Sequence, residues 1–222
     1  MPFELSVSPS ILLAMWAGGI TAAAAFVARW KVVGAGFLWT AGGAALLAGA
    51  AASTAGPWGV AAVAALVGGL AFARKHVPAA VLFGASAVSF LMHGFVNVVD
   101  NPLLILTGAV ALGGTTAEML LGHWFLVDPK LPRWALRRLD GAGIAGLTLD
   151  TAYVVWLGGL SGEGLLRWAY LGLAAMSVLM MTGVWFSLKE KGYEGVMAAT
   201  GLSYLSVLTA LGAVAMGRFL VS

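Results

Sequence analysis

Glu118 and Asp150 are the two carboxylates that the sequence places deep in membrane-length apolar segments. Glu118 lies about nine residues before the fifth such segment leaves the membrane, and Asp150 about nine residues after the sixth enters from the same side. At ~1.5 Å per residue, both are roughly 13 Å from one boundary. Consecutive antiparallel segments therefore bring them to matching depth, where they can face each other. Thr115 lies one turn from Glu118, Thr151 and Tyr153 flank Asp150, and Ser177 of the seventh segment falls at a similar depth. Two neighbouring carboxylates in a low dielectric do not both ionise readily, so one shares or binds a proton. That is the chemistry of a proton relay or a cation site, and an ionisable group inside a membrane is a functional candidate by default. The competing reading is that each is neutral and joins helices by hydrogen bonds.

A second polar set follows a helical period. Ser86, Ser89, His93, Asn97 and Asp100 are spaced 3, 4, 4 and 3 apart, which is one face of a helix. This seam can line an outward vestibule or hold helices together. His123 and His76 fall near the opposite, basic boundary. A pair of imidazoles can ligate a b-type haem, with Arg133, Arg137 or Arg138 meeting its propionates. The alternative is an interfacial His76 and a His123 bonded to a carbonyl.

The segments that carry these groups follow from composition. Of the 222 residues, 61% are hydrophobic and 9% are charged, against about 25% charged in an ordinary soluble domain. Long uncharged runs recur along the whole chain. The expected fold is all-α, a polytopic membrane helix bundle of about eight spans forming a single domain. The expected spans are 10–28, 32–52, 58–73, 77–96, 103–127, 141–160, 165–188 and 196–221. Lys and Arg cluster in alternate connections: Arg29 and Lys31; Arg74 and Lys75; Lys130, Arg133, Arg137 and Arg138; Lys189 and Lys191. Basic connections stay cytoplasmic, so an even number of spans puts both termini outside. The first segment lacks a basic residue before it and carries Glu4, so it reads as a retained span rather than a cleaved signal. Trp30, Trp124, Trp134 and Trp185 mark the basic boundary, and Trp58, Trp156 and Trp168 the other.

Residues 132–139, PRWALRRL, read as a short interfacial helix. Arg133, Trp134, Arg137 and Arg138 would meet anionic lipid at the cytoplasmic face, or a protein partner. Small residues such as Gly42, Ala45, Gly49 and Ala52, and pairs such as Ala64/Gly68 and Ala213/Gly217, permit close helix contact. No internal repeat is evident beyond equal helix counts in the two halves.

Several classes are excluded or unsupported. With no cysteine there is no disulfide and no thiolate chemistry. No P-loop, zinc-protease helix or nucleophile elbow is present, so the residues favour a protein that is not a stand-alone enzyme. A basic patch against a membrane is not a nucleic-acid surface. The leading expectation is a multi-pass cell-membrane protein, a proton- or cation-linked small-solute transporter or channel. The alternatives are a membrane subunit of an electron-transfer complex binding haem or quinone, and a structural or assembly subunit of an oligomer or larger membrane complex.

Overall fold

The structure, a computed structural model, describes residues 8–54, 56–97, 101–161 and 164–221. Among the described residues, eight α-helices follow one another: α1 (Pro9–Trp30), α2 (Ala35–Gly49), α3 (Pro57–Ala71), α4 (His76–Asn97), α5 (Pro102–Val127), α6 (Arg133–Trp156), α7 (Gly164–Ser187) and α8 (Tyr193–Leu220). Among the described residues, six helices are long and apolar enough to cross a membrane: α1, α2 with its extension to Thr54, α4, α5, α7 and α8. The helix α3, with 15 residues, is apolar but short.

Two boundaries differ from the sequence expectation. The α2 helix tightens at Ala50 into a 3-10 turn ending at Thr54, where Ser53 and Thr54 donate their hydroxyls to carbonyls three residues back. Gly56 follows with φ 143°, a conformation that favours glycine, and Pro57 opens α3. The sixth helix is not 141–160 preceded by a separate interfacial helix. One continuous helix runs from Arg133 to Trp156, because Pro132 caps it and no breaker interrupts it until Gly158 at φ 87°. Asp140 therefore lies inside a helix, not in a loop.

The four basic connections gather at one end of the bundle. The Trp30 and Trp134 rings meet edge-on at 5.2 Å, joining the end of α1 to the start of α6. Arg133 donates to the carbonyls of Glu190, Lys191 and Gly192, tying that start to the α7–α8 turn. Gly36 at the start of α2 lies under the Trp124 ring of α5. Trp39 donates to the Leu70 carbonyl at the end of α3 and carries the Arg74 guanidinium at 5.8 Å. The alternation of charge read from the sequence thus corresponds to one physical face.

The packing repeats. In the first half α1 packs on α2 and α4, and α3 packs on α4 and α2; in the second half α5 packs on α6 and α8, and α7 on α8 and α6. The first helices of the two halves join them, α1 against α5. These two helices run the same way and share a spacing: Gly19, Thr21 and Trp30 in α1 match Gly113, Thr115 and Trp124 in α5. Thr21 and Thr115 make the same pair of hydrogen bonds, each to the carbonyls three and four residues back. The halves are parallel copies of one packing plan, a relation hidden in the sequence by divergent side chains.

Glycines set how closely these helices approach. A Cβ on Gly19 would collide with the Ala109 carbonyl and the Gly113 backbone, and one on Gly113 with the Gly19 backbone. The adjacent Gly114 meets the backbone of Gly143, so α5 is approached by α1 on one side and by α6 on another. Gly113→Ala is expected to force these backbones apart, at a cost of about 1–3 kcal/mol, and to lower the unfolding temperature in detergent. Gly172→Ala, where a Cβ would meet nothing within 4 Å, is expected to leave that temperature unchanged or raise it; equal effects at the two positions would refute the crossing.

Candidate functional site

Two enclosed polar centres lie between the helices of the second half, one toward each end. The first contains Asp150. Its carboxylate does not face Glu118; it receives Arg218 in a two-pronged ion pair, Nη1 to Oδ2 at 2.8 Å and Nη2 to Oδ1 at 2.6 Å. Thr107 of α5 donates to Oδ1 at 2.6 Å. The same guanidinium donates to the Leu104 carbonyl and lies 3.8 Å from the Met15 sulfur. Gly108 leaves the space that Arg218 and Met15 fill. The ring of Tyr170 closes the site beside Gly217 and is itself buried. Arg218 sits in the last turn of α8, so this centre is at the end remote from the basic connections.

The second centre contains Glu118, which is fully buried with no hydrogen-bond partner for either oxygen among the described residues. Thr115 shares its helix face one turn away. From α8 come Ser203, which lies alongside Glu118, and Thr200, whose hydroxyl and Glu118 Oε1 both border the space above Gly122. All three hydroxyls donate to carbonyls of their own helices: Thr115 to Ala111, Thr200 to Val196 and Ser203 to Ala199.

The second carboxylate in electrostatic reach of Glu118 is Asp140 of α6, also fully buried and without a hydrogen-bond partner among the described residues. Arg137, one turn earlier, is the cation that acts on Asp140. Asp140, rather than Asp150, is thus the carboxyl group of α6 that bears electrostatically on Glu118. The reason is helix register: α6 begins at Arg133, so Gly143 meets Gly114, Gly146 meets Ala111 and Asp150 meets Thr107 toward the opposite end of the bundle.

Other sequence candidates take packing roles. Ser177 donates to the Leu173 carbonyl and to the Thr209 hydroxyl at 2.7 Å, joining α7 to α8. Tyr153 reaches Asn101 at 3.5 Å and stacks on Trp156. In the α4 seam, Ser86 donates to the Ala62 carbonyl of α3 and Asn97 to the carbonyl of His93. Ser89 is half-buried, and His93 is buried with its Nε2 unpartnered. Of the described seam residues only Ser86 joins α4 to another helix by a hydrogen bond, Asn97 is exposed, and Asp100 lies outside the described residues. His123 is exposed, its Nδ1 3.2 Å from the Tyr204 hydroxyl. His76 opens α4, which packs chiefly on α1 and α3. The structure does not bring these two imidazoles together as a haem would require: α4 meets α5 through Gly94 and Ile105, toward the opposite end. Among the described residues no group of three or more His, Asp or Glu side chains converges as a metal site would.

Two functional candidates escaped the sequence reading. Arg218 is a cation inside an apolar helix, remote from every basic connection, and such a charge calls for a buried carboxylate. Asp140 follows Arg137 by one turn in an uninterrupted helical stretch, which is the signal that it lies inside. Comparison with protein-family models, curated proteins and solved structures returns no match to this chain.

Removing one member of the Asp150–Arg218 pair leaves the other buried and uncompensated. Asp150→Leu or Arg218→Met is expected to cost about 3–5 kcal/mol of stability. The double variant Asp150→Leu/Arg218→Met is expected to cost less than either single change. Thermal unfolding of the four proteins in one detergent gives the cycle, and additive losses would show that the pair is not coupled.

Proposed function

We propose that this chain is a multi-pass cell-membrane protein that carries out proton-linked translocation through a carboxyl pair formed by Glu118 and Asp140. In this reading all eight helices cross the bilayer. The basic end faces the cytoplasm and both termini face outward, in keeping with the positive-inside rule. Support for the topology comes from the common end shared by Arg29, Arg74, Arg133 and Lys189 with their neighbours.

The observation that carries the proposal is the surroundings of Glu118: wholly enclosed, with no hydrogen-bond partner for either oxygen among the described residues, and with the hydroxyls of Thr200 and Ser203 nearby. Among the described residues no cation is paired with it. Burial of an unpaired charge is costly enough that the group holds a proton at rest. Asp140 is the next carrier toward the basic end, where Arg137 can accommodate its anionic form. Proton exchange between a buried acid and a second acid beside a cation is the elementary step of a relay.

Infrared difference spectroscopy is expected to show a protonated-carboxyl band that shifts in deuterated water and disappears in Glu118→Gln. Asp128→Asn, at the exposed turn after α5, is expected to leave that band in place. In liposomes under an imposed potential, Glu118→Gln and Asp140→Asn are each expected to slow proton flux by about tenfold or more without loss of folded protein. Wild-type flux in both variants would overturn the proposal.

A further inference from the structure

The basic end carries a groove that shares only Arg137 with the carboxyl pair. It has a volume of about 820 Å³ and lies between the start of α6 and the α7–α8 turn. Arg137, Arg138, Lys189 and Lys191 line it, with Trp134 and Trp185, and no carboxylate is among its lining residues. Arg133 at its edge is committed to the carbonyls of the α7–α8 turn and holds the two walls together. Three of the other cations lie over aromatic faces. Arg137 lies 4.6 Å over Trp185, Arg138 4.8 Å over Trp134, and the Lys189 ammonium 4.5 Å over Phe186. Among the described residues none of these cations, nor Lys191, has a carboxylate partner within salt-bridge distance, although Arg137 acts on Asp140 one turn away. Arg138, Lys189 and Lys191 beside Arg137 make a concave cationic site complementary to a multiply oxygenated anion.

The same seam continues as an apolar furrow. Farther along α6 and α7, Thr148, Thr151 and Ala152 face Leu171, Ala175 and Leu179 across a furrow of about 560 Å³. Its hydroxyls at Thr148 and Thr151 donate to their own helix, so its walls offer little beyond hydrocarbon. Six positions, or roughly 9 Å of helix, separate Leu179 from Trp185 on α7, and ten positions, or roughly 15 Å, separate Arg138 from Thr148 on α6. An anion site at the membrane boundary that continues into a hydrocarbon furrow matches an amphiphile with an anionic head and acyl chains. A free ion would need only the first part.

We infer that the α6/α7 seam binds an anionic glycerophospholipid, its phosphate held by Arg137, Arg138, Lys189 and Lys191 and an acyl chain lying in the furrow below. Tryptophans at the groove edge are suited to the headgroup level. The lipid would bridge α6 and α7, which touch less extensively than the other neighbouring pairs of the second half.

The test is native mass spectrometry of the full chain released from phosphatidylcholine nanodiscs doped with phosphatidylglycerol. The expected result is retention of phosphatidylglycerol in preference to phosphatidylcholine. The triple variant Arg137→Gln/Lys189→Gln/Lys191→Gln is expected to lower that preference about a hundredfold, from about a factor of five for each cation. Ala175→Trp fills the furrow and leaves every cation in place. It is expected to weaken retention of the long-chain lipid but not the binding of glycerol phosphate. Equal retention of the two lipids, or unchanged preference in the triple variant, would overturn the inference. Inorganic phosphate raising the unfolding temperature as much as phosphatidylglycerol does would assign the groove to a soluble anion instead. Circular dichroism and gel filtration establish that both variants fold before retention is compared.

Discussion

The backbone-to-backbone crossing of α1 and α5 at Gly19 and Gly113 is the constraint on which the remaining geometry rests. It is the junction of the two four-helix halves. Because the next residue, Gly114, admits α6 on another side, α5 is enclosed along most of its length. A helix enclosed in this way turns every polar residue it carries into a buried group. Thr115 and Glu118 are buried for this reason, not because the sequence around them is unusually apolar. In a membrane, close approach gains van der Waals contact rather than hydrophobic burial, so the loss of a single Cβ matters more than the gain of a larger side chain.

The parallel relation between the halves sharpens the meaning of Glu118. With Gly19, Thr21 and Trp30 set against Gly113, Thr115 and Trp124, the position of Glu118 corresponds to Ala24, which is also buried. One packing plan is used twice, and a carboxyl group stands in only one copy. The first half supplies a rigid apolar wall, and the ionisable centres are concentrated in the second.

The two enclosed centres use their charges differently. Asp150 is satisfied by Arg218, Thr107 and a fixed geometry, with Arg218 also holding the Leu104 carbonyl, so this centre ties α5, α6 and α8 together at one end. Glu118 and Asp140 have no hydrogen-bond partners among the described residues. Two carboxylates that look alike in the sequence, Glu118 and Asp150, thus have opposite surroundings.

Much of the architecture was legible from the letters. Length and apolarity mark the helices, Pro9, Pro57 and Pro102 mark starts, and alternating Lys and Arg mark one end of the bundle. What could not be read was rotation about each helix axis. In a soluble protein the apolar stripe shows which face is buried, but lipid and protein interior are both apolar, so these helices carry no such stripe. Depth failed as well, because α6 begins at Arg133 rather than at its apolar run, which brings Asp150 opposite Thr107 instead of Glu118. Arg218 on the last helix therefore meets Asp150, and Asp140 is the carboxyl group of α6 that bears electrostatically on Glu118. Only the packed arrangement, set by where glycines let backbones touch, decides which polar groups meet.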